Sequence, residues 1–233
     1  MNEMLTAKGM RFPIDVILVC IRWYAAYSLS YRHLEEMMQE RGVCVDHSSI
    51  NRWAVRFLPV LEKAFRKHKR AVGGSWRMDE TYIKVKGLWK YLYRAVDKEG
   101  ETVDFLLTAR RDKEAALRFF AKAIKANGVP EKVTMDKSGA NKAAMDEINA
   151  RGETPVIVRQ VKYLNNIVEQ DHRAIKRVTR PMMNFKSFRS ATSVLAGIEL
   201  MHMIRKGQLL LQGCSELSFA DQFYALAGKI RPV

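Results

Sequence analysis

The spacing of apolar residues changes period along the chain, and each change marks a different kind of element. Through residues 13–70 apolar positions recur every three to four residues: Leu34, Met37 and Met38 share one face, and Ile50, Trp53, Ala54 and Phe57 follow i, i+3, i+4, i+7 spacing. Gly42 permits a tight turn between these two helices, Asp46 is a good N-cap for the second, and Pro59 is expected to disturb its pattern. From Ser75 the period becomes two. Residues 76–86, 90–97 and 102–109 are rich in Val, Ile, Leu, Tyr, Phe and Thr and are separated by Gly87 and by a turn at residues 97–100, which predicts three antiparallel strands. Asp112 then caps a helix reaching about Asn127, residues 131–136 predict a fourth strand, 139–150 a second helix and 154–159 a fifth strand. After Leu164 the pattern is mostly helical and is divided by Pro181.

The order β-β-β-α-β-α-β-α describes an α/β domain, a mixed five-stranded sheet with helices on both faces, as in the ribonuclease H-like fold. It follows an all-helical region. The expected divisions are a helical helix-turn-helix domain over 1–72, a catalytic domain over 73–207 and a tail over 208–233 that carries a helical pattern. In the helix-turn-helix candidate, Ser48, Ser49, Asn51, Arg52 and Arg56 face outward with hydroxyl, amide and guanidinium groups suited to base edges and phosphates. A plain helical hairpin would show the same periodicity.

Charge narrows the class of partner. The 233 residues carry a formal charge of +15, which favours a polyanion such as double-stranded DNA through counterion release. Cys20, Cys44 and Cys214 are odd in number, widely spaced and without a nearby His pair, so they read as buried thiols in a reducing cytoplasm. The longest N-terminal apolar run, residues 16–21, is short and flanked by Asp15 and Arg22, so no signal peptide is expected. No stretch approaches the ~20 apolar residues of a membrane span.

Three carboxylates stand where such a fold would gather them. Asp79 interrupts the first strand, Asp136 ends the fourth, and Glu169 lies on a late basic helix. Clustered carboxylates repel one another and are best explained by cations; oxygen donors favour Mg²⁺ or Mn²⁺, and two such ions ~3.5 to 4 Å apart can bridge a scissile phosphate. Glu80 is expected on the opposite face from Asp79 and outside the site. Asp97 reads as a turn residue, Asp104 as an exposed strand residue, Asp112 as a cap, and Asp146 and Glu147 as a solvated face. On the late helix His172, Arg173 and Lys176 follow Glu169 at i+3, i+4 and i+7, and with Arg177 and Arg180 they form a basic stripe that would face DNA.

The phrases Trp76-Arg-Met-Asp-Glu-Thr-Tyr-Ile-Lys-Val, Tyr91-Leu-Tyr-Arg-Ala-Val-Asp, Met135-Asp-Lys-Ser and Tyr163-Leu-Asn-Asn-Ile-Val-Glu-Gln-Asp-His-Arg closely resemble bacterial insertion-sequence transposases of the DDE type, the insertion-sequence-six family with its retroviral-integrase-like core. Tyr31-Arg-His-Leu-Glu-Glu-Met-Met and Val45-Asp-His-Ser-Ser-Ile-Asn-Arg-Trp resemble it as well. The resemblance implies that Asp79, Asp136 and Glu169 are the metal-binding catalytic triad and that Lys176 contacts transposon-end DNA. It implies cleavage at terminal inverted repeats, transfer of the freed 3′-hydroxyl into target DNA, a replicative or cointegrate-forming outcome, and self-association to pair two ends. A ribonuclease H-like nuclease or resolvase and a catalytically inactive helix-turn-helix regulator are the alternatives. The place of action is the cytoplasm, at the nucleoid.

Overall fold

The computed structural model describes residues 11–152, 155–182, 184–211, 213 and 216–228. Among the described residues eight α-helices and five strands follow in the order α1 (Ile14–Ala26), α2 (Tyr31–Gln39), α3 (His47–Arg66), β1 (Ser75–Val85), β2 (Leu88–Val96), β3 (Thr102–Thr108), α4 (Lys113–Asn127), β4 (Lys132–Thr134), α5 (Gly139–Arg151), β5 (Ile157–Arg159), α6 (Asn166–Thr179), α7 (Phe188–Arg205) and α8 (Phe219–Gly228). Two compact units result, Ala71–Ala174 and a second made of Met1–Arg70 with Ile175–Val233.

The helical unit joins both ends of the chain. Residues 175–207, expected to continue the catalytic domain, cluster with the N-terminal helices instead. The reason is α7, which buries residues almost all the way round, from Ala191 and Val194 to Leu200, Met203 and Ile204, and so needs neighbours on several sides. Pro59 does not end α3. The helix runs on to Arg66, with Leu58, Leu61 and Phe65 buried beyond the proline. Gly42, at φ 74°, makes the left-handed turn after α2 that its missing Cβ allows. The expected helical tail is present as α8, while residues 229–233 lie outside the described residues.

In the other unit the sheet has the order β3-β2-β1-β4-β5. β1, β2 and β3 are antiparallel neighbours, and β4 and β5 run parallel to β1. This is the ribonuclease H-like topology. Trp76, Met78, Tyr93, Phe119, Phe120, Val133 and Met145 form its core between the sheet, α4 and α5. Each large side chain there, fully removed from water, contributes about 1.5 to 3 kcal/mol. Asp112 caps α4 by accepting from the backbone N–H of Ala115 at 2.8 Å, and Asp97 closes its turn by accepting from Glu99 and Glu101. Asp104 is buried rather than exposed, because Lys122 of α4 donates to it at 2.9 Å. Cys20 is buried and its thiol is pushed up to about 11 by that burial, Cys44 is exposed, contrary to expectation, and Cys214 lies outside the described residues.

Candidate active site

Parallel pairing of β1 with β4 sets Arg77 opposite Thr134; carrying that register two residues further brings Asp79 beside Asp136, just past the end of β4. Asp136 is fixed from both sides. The backbone N–H of Ser138 donates to its Oδ1 at 3.0 Å, and Gln160 Nε2 donates to its carbonyl at 3.4 Å. Burial, then the charges of Glu80, Asp136 and Glu169, push the Asp79 carboxyl up to about 7, against a hydrogen bond from the Glu80 backbone. At neutral pH this group is poised to gain from a cation. Among the described residues Asp79, Glu80 and Asp136 present ligand atoms that all lie within 4.8 Å of one another. Three carboxylate oxygens are a donor set for a hard divalent ion such as Mg²⁺ or Mn²⁺ rather than for zinc, so the residues fit the implied cofactor.

Glu80 does join this cluster, against the expectation that strand alternation would remove it. Its longer side chain, 4% exposed, lies across the strand end from Asp79 and is held there by Arg111, whose Nε and Nη2 donate to its two oxygens at 3.2 Å each. The same Nη2 donates to Asp136 Oδ2 at 2.9 Å, and Asn141 Nδ2 donates to Glu80 at 3.0 Å. Arg111 thus offsets the charge of Glu80 and couples it to Asp136, while Asn141 adds a neutral hydrogen bond. Glu169 lies in the first turn of α6, exposed and outside the 4.8 Å group, with its charge reaching Asp79.

Of the stripe expected to face DNA, only His172 turns inward. Val168, Asp171, His172 and Ile175 turn inward, whereas Glu169, Arg173 and Arg177 are exposed and Lys176 is half-buried. His172 is therefore buried, with Nδ1 3.6 Å from Asp79 Oδ2, rather than turned to solvent with the bases around it. Asp171 accepts from the fully buried Arg94 of β2 at 2.7 Å, and Asn165 donates to the carbonyl of Met78 at 3.3 Å. These two contacts fasten α6 and its entry to the sheet.

In the helical unit the α3 N-terminus is a closed network. Asp46 accepts from the backbone N–H groups of Ser48 and Ser49, both hydroxyls donate to its carboxylate, and Arg52 donates to Ser49 Oγ at 2.7 Å. These hydrogen bonds hold the Asp46 carboxyl well below the usual range. Arg52 and Arg56 are exposed, and Asn51 is half-buried. Arg177 offers its carbonyl to Ser28 Oγ at 2.7 Å, and Arg180, just after α6, is exposed.

The family profile DDE_Tnp_IS240, a DDE domain, matches residues 73–208. The transposase of the insertion sequence-like element IS431mec of Staphylococcus aureus is 43% identical over 198 residues, 84% of this chain and 87% of that protein. The chain belongs to the DDE transposases of the insertion-sequence-six family. The transposase of IS257 in transposon Tn4003, also of Staphylococcus aureus, is 42% identical over the same shares of the two chains. Among solved structures, the HTLV-2 integrase catalytic core in complex with magnesium is 14% identical, covers 68% of this chain and 86% of that core, and has a TM-score of 0.37.

This transposase has residues in contact with the carboxylate cluster, or across the strand from it, that sequence reasoning passed over. Asn141 lies within the stretch that begins at Asp136, five positions on, where a helix start turns it back toward the carboxylates. Arg111 follows the third strand and carries no local signal; only the fold brings it to Glu80. Arg94 could have been found from register, since it lies directly opposite Asp79 on β2. Among the described residues no helix is long and apolar enough to cross a membrane.

Proposed function

We propose that this transposase cuts one strand at each end of its element and joins the freed 3′-hydroxyl to target DNA, with Asp79, Asp136 and Glu169 as the carboxylates of that chemistry. The observation that carries the reading is the convergence of Asp79 and Asp136, whose ligand atoms lie within 4.8 Å of one another, with Asp79 raised to about 7 by burial and by surrounding carboxylates. Two Mg²⁺ or Mn²⁺ ions held there would activate the attacking oxygen and stabilise the leaving one. Asp79 and Asp136 supply the rigid, strand-borne oxygens, and Glu169 supplies the exposed third from α6. Arg111 and Asn141 orient Glu80 and Asp136, and His172 packs against Asp79 and limits the freedom of its carboxylate.

Recognition falls to the helix-turn-helix of α2 and α3. The Asp46 network engages the hydroxyls of Ser48 and Ser49, so base-edge contacts rest chiefly on Asn51, Arg52 and Arg56, with Ser48 and Ser49 shaping the helix end. Arg173, Lys176, Arg177 and Arg180 supply phosphate contacts along and just after α6. Pairing of two ends calls for at least a dimer, the outcome is replicative or cointegrate-forming, and the reaction runs in the cytoplasm at the nucleoid.

The experiment is strand nicking and joining of a plasmid carrying the element ends, with Mg²⁺ or Mn²⁺ and full-length protein. Asp79→Asn, Asp136→Asn and Glu169→Gln should each abolish both steps while a gel-shift assay still detects end binding. Wild-type strand transfer by any of the three would remove that residue from the triad.

A further inference from the structure

One face of the β1–β2 hairpin serves two environments. Near Trp76, Met78 and Tyr93 it is core, covered by α4 and α5. Past Glu80 the same face continues outward through the cross-strand pairs Tyr82 with Tyr91 and Lys84 with Trp89. Here it is uncovered: Tyr82 is 53% exposed and Trp89 59% exposed, whereas the opposite face, with Thr81, Ile83 and Val85, is buried. The rings run on from one another, with centroids 5.5 Å apart for Tyr82 and Tyr91 and 6.2 Å for Tyr82 and Trp89. The Lys84 ammonium lies 5.9 Å from the Trp89 ring, on the same face of the hairpin.

Two large exposed rings on a strand cost solubility and call for an explanation beyond cross-strand pairing, which would hold equally well with the rings covered. Their position supplies one. Tyr82 stands two residues from Glu80 and on its face, so the row of rings starts at the carboxylate cluster and leads away from it. Lys84 against the Trp89 ring, on a chain of charge +15, points to a polyanion. In a duplex the base faces are stacked on one another and closed to such rings; in a separated strand they are open, and aromatic platforms beside cationic side chains are how unpaired strands are held.

We infer that the outer half of the β1–β2 hairpin is a stacking track for unpaired DNA, with Tyr82 and Trp89 holding bases and Lys84 holding phosphate, so that a strand frayed at the reacting end is led away from the carboxylates. The inference rests on the placing of strand chemistry at Asp79 and Asp136. Its ligand is single-stranded DNA without sequence preference.

The test uses full-length protein in EDTA and the fluorescence anisotropy of a labelled oligothymidylate of about 16 nucleotides, the upper end of the site size of such surfaces. A blunt duplex of equal length is the comparison. Tyr82→Ala and Trp89→Ala should each weaken oligothymidylate binding by roughly 5- to 100-fold, leave duplex binding as in wild type, and keep the salt dependence. Trp89→Phe, which retains a ring, should recover most of the loss. Lys84→Ala should make the slope of log affinity against log salt shallower by about 0.7. Unchanged oligothymidylate affinity in both ring variants overturns the proposal, and so does an equal loss on duplex. Unchanged affinity together with weakened self-association in sedimentation also overturns it and makes this face a protein interface. The two readings fail separately, since nicking tests the carboxylates without the oligothymidylate and binding in EDTA tests the rings without catalysis.

Discussion

Arg94 and Asp171 form an ion pair of 2.7 Å that joins the middle of β2 to α6, with the arginine wholly out of solvent. Arg94 lies directly across from Asp79, and Asp171 adjoins His172 and stands two residues from Glu169. The pair therefore sets how the helix carrying Glu169 lies over the strand carrying Asp79.

Asp171→Ala should be costly for that reason. Taking the carboxylate from a buried guanidinium destabilises by about 3 to 5 kcal/mol, because the charge keeps its desolvation penalty and loses the attraction that offset it. Urea denaturation followed by circular dichroism measures this. A loss below about 1 kcal/mol would mean that α6 is held by its apolar stripe and that the pair is incidental.

That pair also marks where sequence reasoning stops. Strand order, the two-residue period of β1 and the Asp112 and Asp46 caps are local properties, legible from alternation and cap chemistry. Asp79 and Asp136 could be brought together from the sequence because the first lies within a predicted strand and the second at the end of one, although the observed β4 stops at Thr134. The burial of His172 was not legible: with 3.6 residues per turn it borders both the basic stripe Glu169-Arg173-Lys176 and the stripe Val168-Asp171-Ile175, and only the fold places it beside Asp79. Glu80 was misplaced for a similar reason. Alternation governs where a Cβ points, whereas Arg111 and Asn141, remote in sequence, govern where the end of a long side chain rests. Residues 175–207, expected to continue the catalytic domain and within the matched DDE-domain stretch 73–208, pack with the N-terminal helices, since periodicity shows that a helix has an apolar face but not which partner covers it.

The raised Asp79 carboxyl predicts a pH dependence with a definite sign. With about 7 in the folded protein against 3.8 unfolded, the folded state keeps a proton between roughly pH 4 and 7 that the unfolded state releases. Stability from this group is full below about pH 4 and falls as pH rises through 7. In EDTA, Asp79→Asn should therefore gain on wild type as pH rises from 4 to 8, by at most roughly 4 kcal/mol at about 1.4 kcal/mol per pH unit. Adding Mn²⁺ at pH 8 should stabilise wild type and not the variant. A pH-independent difference between the two proteins in urea denaturation would show that Asp79 ionises normally.

Gly197→Ala should destabilise despite the better helix propensity of alanine. A Cβ at Gly197 would fall 2.5 Å from Leu58 Cδ1 and 2.8 Å from Leu58 Cγ, closer than real Cβ contacts come. Overpacking of this kind costs typically about 1 to 3 kcal/mol, against roughly 1 kcal/mol gained from replacing a helical glycine. The net loss should be about 1 kcal/mol and should vanish or reverse in a Leu58→Ala background. Equal effects of Gly197→Ala in the two backgrounds would show that α3 and α7 shift apart instead of colliding.

Arg111→Ala separates two consequences of one guanidinium. Arg111 bridges Glu80 and Asp136, so its loss leaves two carboxylates facing each other and should lower the stability of the protein in EDTA by about 1.5 to 3 kcal/mol, less than for a fully buried pair because the guanidinium is a third exposed. The same loss makes the cluster more negative, and a divalent cation should then bind more tightly and restore more stability than it adds to wild type. Arg111→Lys should fall between the two, because an ammonium keeps the charge without the fork that reaches both oxygens of Glu80 and one of Asp136. Calorimetric melting with EDTA and then with Mn²⁺ reads both effects. A smaller Mn²⁺-induced rise in Tm for Arg111→Ala than for wild type would mean that Arg111 acts mainly by holding Asp136 in a metal-ready position, and that its competition with the cation is minor.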